Sequence, residues 1–284
     1  MAVKVIGVLG GMSGVASAEY YRRLNAGVNA VRGGHAAAEV VLYSVDFAVI
    51  EACIRQGRWD DAAAYLVERA RRVERAGADV LLLATNTLHR EAPQLQAAVG
   101  IPFVHIVDVT ADAVRADGAR TVGLLGTASV MEAGFYRDRF AERGVEVLVS
   151  DERDRALVDA VIFQELTRGV VDDRSRQQYL RIMRELLGRG AQGIVLGCTE
   201  ISLLVRPGDL PDTVLYDTTA LHVERAAPGV GYVWGGGDPG AAVRVPRLAG
   251  DLVLVVAEAP ASVGEPSEPA SSRITVLTKT GGRV

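Results

Sequence analysis

Hydrophobic and polar positions alternate along this chain on two length scales. Short runs are apolar at almost every position: VKVIGVLG, EVVLYSVD, DVLLLAT, FVHIVD, TVGLLGT, EVLVS, GIVLGC and TVLYD. Such runs predict strands buried on both faces, as in parallel sheets. Between several of them lie longer amphipathic stretches, including DDAAAYLVERARRVERAG and RQQYLRIMRELLGRG. Their helical periodicity stops at Gly77 and Gly190, and glycine suits a helix C-terminal cap. Strands alternating with helices in this way predict an α/β fold. Near residue 226 the pattern gives way to APGVGYVWGGGDPG and, later, APASVGEPSEPASS. This predicts a weakly ordered, irregular tail over 227–284, with short strands at DLVLVVAEA and RITVL.

The patterned part also repeats itself. IGVLGGMSGVASAEYYRRL aligns with VGLLGTASVMEAGFYRDRF, setting Gly7 on Gly123, Gly10 on Gly126, Ser13 on Ser129 and Tyr20 on Tyr136. GADVLLLATNT aligns with GAQGIVLGCTE, setting Gly77 on Gly190 and Thr85 on Cys198, and IVDVT matches LYDTT more weakly. The repeat predicts two Rossmann-like domains related by a pseudo-twofold. One covers 1–110, completed by about 208–226; the other covers 111–207. Ligands of open α/β sheets bind beyond the carboxyl ends of strands. Two such ends would then face one cleft, with Thr85 on one wall and Cys198 on the other.

Composition narrows the function. The chain has 284 residues, 49% of them hydrophobic and 23% charged, with a formal charge of −4. That balance gives no electrostatic case for nucleic acid or an acidic membrane face. No apolar run approaches the roughly 20 residues of a membrane span, and no signal segment opens the chain. Two cysteines, Cys53 and Cys198, are too few for a disulfide framework or a zinc cluster. These features predict a cytoplasmic protein with reduced thiols, no metal and a small-molecule partner.

Cys198, in VLGCTEI, follows an apolar strand and precedes an expected helix. A helix N-terminus there would favour thiolate, so the residue is a candidate base. Cys53, in IEACIRQG, reads as helix packing. GVLGGMSG places backbone N–H groups at a strand-to-helix turn suited to a carboxylate or phosphate. It also partly matches a dinucleotide fingerprint ahead of Asp46, a weak signal when alone. Asn86, Thr87, Thr127 and Thr199 offer short donors for a carboxylate or an enolate-like oxygen, or alternatively helix N-caps. Glu200, directly after Cys198 and Thr199, could tune the thiol or orient the substrate. His89 and His222 read equally as structural residues or as support to the site.

These residues resemble a known family. GGMS with EYYRRLN, SVDFAVIE, TNTLHR, GLLGTASVMEAGFY, FQELTRG, LGCTEISLL and DTTALH are similar, in order and spacing, to the aspartate/glutamate racemases. The match runs over roughly residues 3–226. The resemblance implies two flavodoxin-like domains around one cleft, a homodimer, no cofactor such as pyridoxal phosphate, and an amino acid or dicarboxylate as substrate. It implies that Thr85 holds the place of a first catalytic cysteine and Cys198 that of the second. It also implies substrate contacts from Met12, Ser13, Asn86, Thr87, Thr127, Thr199 and Glu200. Two departures stand out. After GGMS the family usually continues Trp-Glu-Ser-Thr, where this chain has Gly14-Val15-Ala16-Ser17. Thr167 stands where many members carry a lysine for the distal carboxylate, leaving Arg55 and Arg90 as weak candidates. A Thr/Cys pair also occurs in a branch associated with L-aspartate and L-glutamate. Two alternatives stay open: a single-cysteine isomerase or decarboxylase of related fold, and a non-catalytic carboxylate binder.

Overall fold

The computed structural model describes residues 4–206, 208–226, 254–256 and 275–277. The first half runs β1 (Ile6–Gly10), α1 (Gly14–Arg32), β2 (Val40–Ser44), α2 (Phe47–Arg55), α3 (Trp59–Arg75), β3 (Val80–Leu83), α4 (Ala92–Ala98) and β4 (Phe103–Val104). The second runs α5 (Ile106–Ala116), β5 (Thr121–Gly126), α6 (Ala128–Glu132), α7 (Gly134–Glu142), β6 (Glu146–Leu148), α8 (Glu152–Gln164), α9 (Asp173–Gly188), β7 (Ile194–Gly197), α10 (Ile201–Leu204), β8 (Leu215–Asp217) and α11 (Thr218–Ala226). β9 (Leu254–Val256) and β10 (Thr275–Leu277) pair antiparallel. They fall within the two runs read as short strands. The expected disorder of the rest of the tail lies outside the described residues.

The local chemistry explains the elements. Ser13, Asp46, Asp151 and Asp172 cap α1, α2, α8 and α9 by accepting backbone N–H bonds from the first turn. α3 carries Asp60 and Asp61 in its first turn and Arg72 and Arg75 in its last, matching the helix dipole. β1, β3 and β7 are buried at every position, as their apolar runs require.

The repeat is realised in the topology. One four-stranded sheet has the order β2-β1-β3-β4 and the other β6-β5-β7-β8, and every pairing in both is parallel. This is the predicted α/β architecture with the same winding twice. Two expectations shift. FVHIVD is a strand only at Phe103–Val104. The His105 ring accepts the Val107 N–H at 3.2 Å and caps α5 instead. Residues 208–226 also divide, because β8 pairs with β7 in the second sheet. α11 crosses back, and its Val223 and Ala226 pack with Ile6, Val8, Tyr20 and Leu24 of the first half. α5 makes the reciprocal crossing, placing Ile106, Val107 and Val114 in the core of the second half. Among the described residues no helix is long and apolar enough to cross a membrane.

Candidate functional site

Ladder ends bring the two halves of the chemistry together. β1 pairs with β3, and β5 pairs with β7, so the loops beginning at Gly11, Thr85, Thr127 and Cys198 all leave carboxyl ends of central strands. Two glycines allow this crowding. Gly11 adopts φ +97°, and a Cβ there would fall 2.3 Å from the Val45 carbonyl oxygen. Gly126 stands in register with Gly197, and a Cβ on it would lie 3.0 Å from the Gly197 carbonyl oxygen.

Side chains from opposite halves then meet. Ser13 Oγ donates to Glu200 Oε1 at 2.5 Å, and Cys198 Sγ donates to Glu200 Oε2 at 3.1 Å. Thr199 Oγ1 donates to the same Oε2. Across the other loop pair, Thr87 Oγ1 and Thr127 Oγ1 lie 3.1 Å apart. Asn86 Oδ1 accepts from Tyr136 OH at 2.9 Å, and its Nδ2 donates to Thr218 Oγ1 at 3.1 Å. The strand-end loops thus carry three groups: Ser13 with Cys198, Thr199 and Glu200; Thr87 with Thr127; and Asn86 with Tyr136 and Thr218. Met12 is partly buried against the core of the first half.

Thr85 is held by its backbone. Its carbonyl accepts from His89 Nδ1 at 2.6 Å, while His89 Nε2 accepts the Ile106 N–H at 3.2 Å. The Ile106 bond fixes the tautomer with the proton on Nδ1. Burial first, then the neighbouring His105 and His222, push the His89 pKa well below the ordinary value. Both ring nitrogens are engaged, so His89 positions Thr85 and is not a proton relay to it. The Thr85 hydroxyl makes no hydrogen bond to the described residues.

Cys198 departs from its expected state. α10 is a single turn, Ile201–Leu204, and offers little dipole. Burial pushes the thiol up, and the Glu200 carboxylate beside it pushes further in the same direction. The resting sulfur is a thiol that donates to Glu200. Asn86 and Thr127 do not cap through their side chains. Each instead reaches a residue of the other half. Arg55 is exposed and paired with Glu51, and the Arg90 guanidinium sits 4.2 Å above the Trp59 ring. Neither bonds to the strand-end groups. Cys53 is buried in α2. No group of three His, Cys, Asp or Glu that could hold a metal occurs among the described residues. A surface depression at Arg120, Thr121, Arg137 and Glu146 lies at the amino ends of β5 and β6, the wrong end of the sheet for this chemistry.

Tyr136, Thr218 and Arg23 were missed by pattern reading. Arg23 is fully buried in α1 and pairs with Asp217 at the end of β8 at 2.7 Å. The repeat did carry a signal for Tyr136, since it aligns with Tyr20, whose hydroxyl meets His222 Nδ1 at 2.8 Å.

A model of the family described as Asp/Glu/hydantoin racemase matches residues 9–226. This chain belongs to that family. A Yersinia pestis protein assigned to the Asp/Glu racemases shares 42% identity with it and a TM-score of 0.74, over 79% of this chain and 97% of that one. An aspartate racemase homologue from Pyrococcus horikoshii OT3 shares 29% identity and a TM-score of 0.69 over the same fractions. The broad-specificity amino-acid racemase RacX of Bacillus subtilis (strain 168) is 22% identical over 51% of this chain. That match spans 63% of RacX, less than two thirds of its length. The racemase family thus accounts for both sheets and the loops between them, and leaves 227–284 unmatched.

Proposed function

We propose that this chain is a cofactor-independent amino-acid racemase acting on aspartate or glutamate, with Cys198 and Thr85 working on opposite faces of the α-carbon. The observation that carries the reading is the junction of the two strand-end loop pairs, with Cys198 bonded to Glu200 and an unengaged Thr85 hydroxyl on a carbonyl-anchored loop. Racemisation without a cofactor needs a base on one face and an acid on the other. Cys198 passes its thiol proton to water, the thiolate takes the α-proton, and the electron pair left on the α-carbon is delocalised into a carboxylate held by hydroxyl donors. Thr85 delivers a proton to the opposite face, and water restores its own.

The pair is unequal. A hydroxyl gives up a proton far less readily than a thiol, whose unperturbed pKa is about 8.5. No described carboxylate or imidazole bonds the Thr85 hydroxyl. The enantiomer whose α-hydrogen faces sulfur should react faster. The test is incubation of each enantiomer of aspartate and glutamate in deuterated water, followed by proton NMR and chiral chromatography. Loss of the α-proton signal with inversion supports racemisation, and Cys198→Ala should abolish both. Exchange with full retention of configuration would assign a one-sided, single-cysteine reaction instead.

A further inference from the structure

Among the described residues, four acidic or basic side chains other than histidine are buried: Arg23, Glu91, Asp154 and Glu200. Three have a counter-ion. Arg23 pairs with Glu19 and Asp217, Asp154 with Arg181, and Glu91 with Arg90 at 3.4 Å. Glu200, only 4% exposed, has none among the described residues. Its partners are two hydroxyls and a thiol, all neutral. Hydrogen bonds satisfy its oxygens without cancelling its charge, and a buried charge left unpaired costs several kcal/mol. A carboxylate has about four acceptor positions, and these three donors leave one open. The repeat sharpens the contrast. Glu200 lies two residues past Cys198, where the other half has Thr87 two residues past Thr85. One wall carries a hydroxyl and the other a carboxyl group.

We propose that Glu200 receives the α-ammonium group of the substrate, so that the site selects α-amino acids over the corresponding acids that lack the amine. The assignment rests on the racemase reading of this site. Oε2 already accepts from Cys198 and Thr199 and Oε1 only from Ser13, so the open acceptor position is on Oε1. An ammonium bonded there sits on the same carboxylate that holds the Cys198 thiol, across it from the sulfur. It also supplies the positive charge that the site lacks. The Glu200 charge is part of what keeps the thiol protonated, and Asp159 adds to it. A bound ammonium offsets both, so substrate binding itself lowers the thiol pKa toward the range where it can act as a base.

The test uses the full-length Cys198→Ala chain, in which binding is separated from turnover. Titration calorimetry compares L-aspartate with succinate and L-glutamate with glutarate. The expected result is a preference for the amino acid of about 10- to 100-fold, the range for a charge-assisted hydrogen bond. Adding Glu200→Gln should reduce that preference to near unity, while Glu200→Asp, which keeps the charge on a shorter arm, should retain part of it. An unchanged preference in Glu200→Gln, or no preference in the parent, overturns the assignment. A structural role alone would weaken amino acid and des-amino acid equally. If wild-type protein never exchanges the α-proton but the preference collapses in Glu200→Gln, the racemase reading fails and the ammonium site stands.

Discussion

At the scale of single residues, the chemistry turns on one oxygen standing where a second sulfur would make the site symmetrical. Thr85 and Cys198 occupy equivalent places in the repeat, yet their surroundings differ as much as their atoms. Cys198 donates to a buried carboxylate, whereas Thr85 is fixed only through its backbone, its N–H donating to the Leu83 carbonyl and its own carbonyl accepting from His89. Thr85→Cys should therefore raise α-hydrogen exchange of the slower enantiomer by at least about tenfold, since a well-placed acid–base group contributes 100-fold or more. Chiral chromatography of both directions would show it, and equal rates before and after the change would remove Thr85 from the reaction. The pair itself was legible in the sequence because the repeat aligns Thr85 with Cys198. The state of the sulfur was not. It depends on Ser13 and Glu200 meeting across 187 positions of chain, and on α10 being too short to act as a dipole.

At the scale of elements, three histidines mark the junction. His89 lies in the turn after β3, His105 at the start of α5 and His222 in α11. The His89 ring centroid is 4.7 Å from that of His105 and 5.6 Å from that of His222. Burial depresses all three: His89 well below its ordinary value, His105 to about 3 and His222 to about 4. The unfolded chain binds these protons near pH 6.5 and the folded chain does not. Stability is therefore complete above about pH 7 and falls as pH drops through 6.5 toward 4. Between pH 7 and 5.5 each histidine should remove about 1 kcal/mol, or about 3 kcal/mol together. Urea titrations at the two pH values would measure this, and an unchanged midpoint would mean that the rings are not buried and neutral. Single-strand runs such as VLLL announced their elements plainly. FVHIVD did not, because an imidazole cap turns an apolar run into a helix, and no period of two or 3.6 encodes that.

At the scale of the whole molecule, the duplicated halves exchange helices. Each fourth strand is followed by a helix that packs in the core of the opposite half: α5 in the second, α11 in the first. A boundary at 110 looked natural from the repeat. The exchange was hidden because helices α5 and α11 are apolar whichever sheet they cover. Arg23 adds a buried ionic tie between α1 and the end of β8. Folding either half alone would leave its crossing helix without a core. Unfolding should thus be a single transition, with far-UV circular dichroism and Trp59 fluorescence, isolated by Trp234→Phe, giving superimposable urea curves. Arg23→Ala leaves the Asp217 carboxylate without its buried partner, which should cost about 3 kcal/mol. It should also shift both curves together, because the tie belongs to both halves. Arg55→Ala, at an exposed helical pair, should move neither by more than about 0.5 kcal/mol. Curves that separate in the Arg23 variant would show two domains that merely touch. A catalytic site assembled from both strand ends could then open without unfolding, and the fixed geometry on which Cys198 and Thr85 depend would be lost.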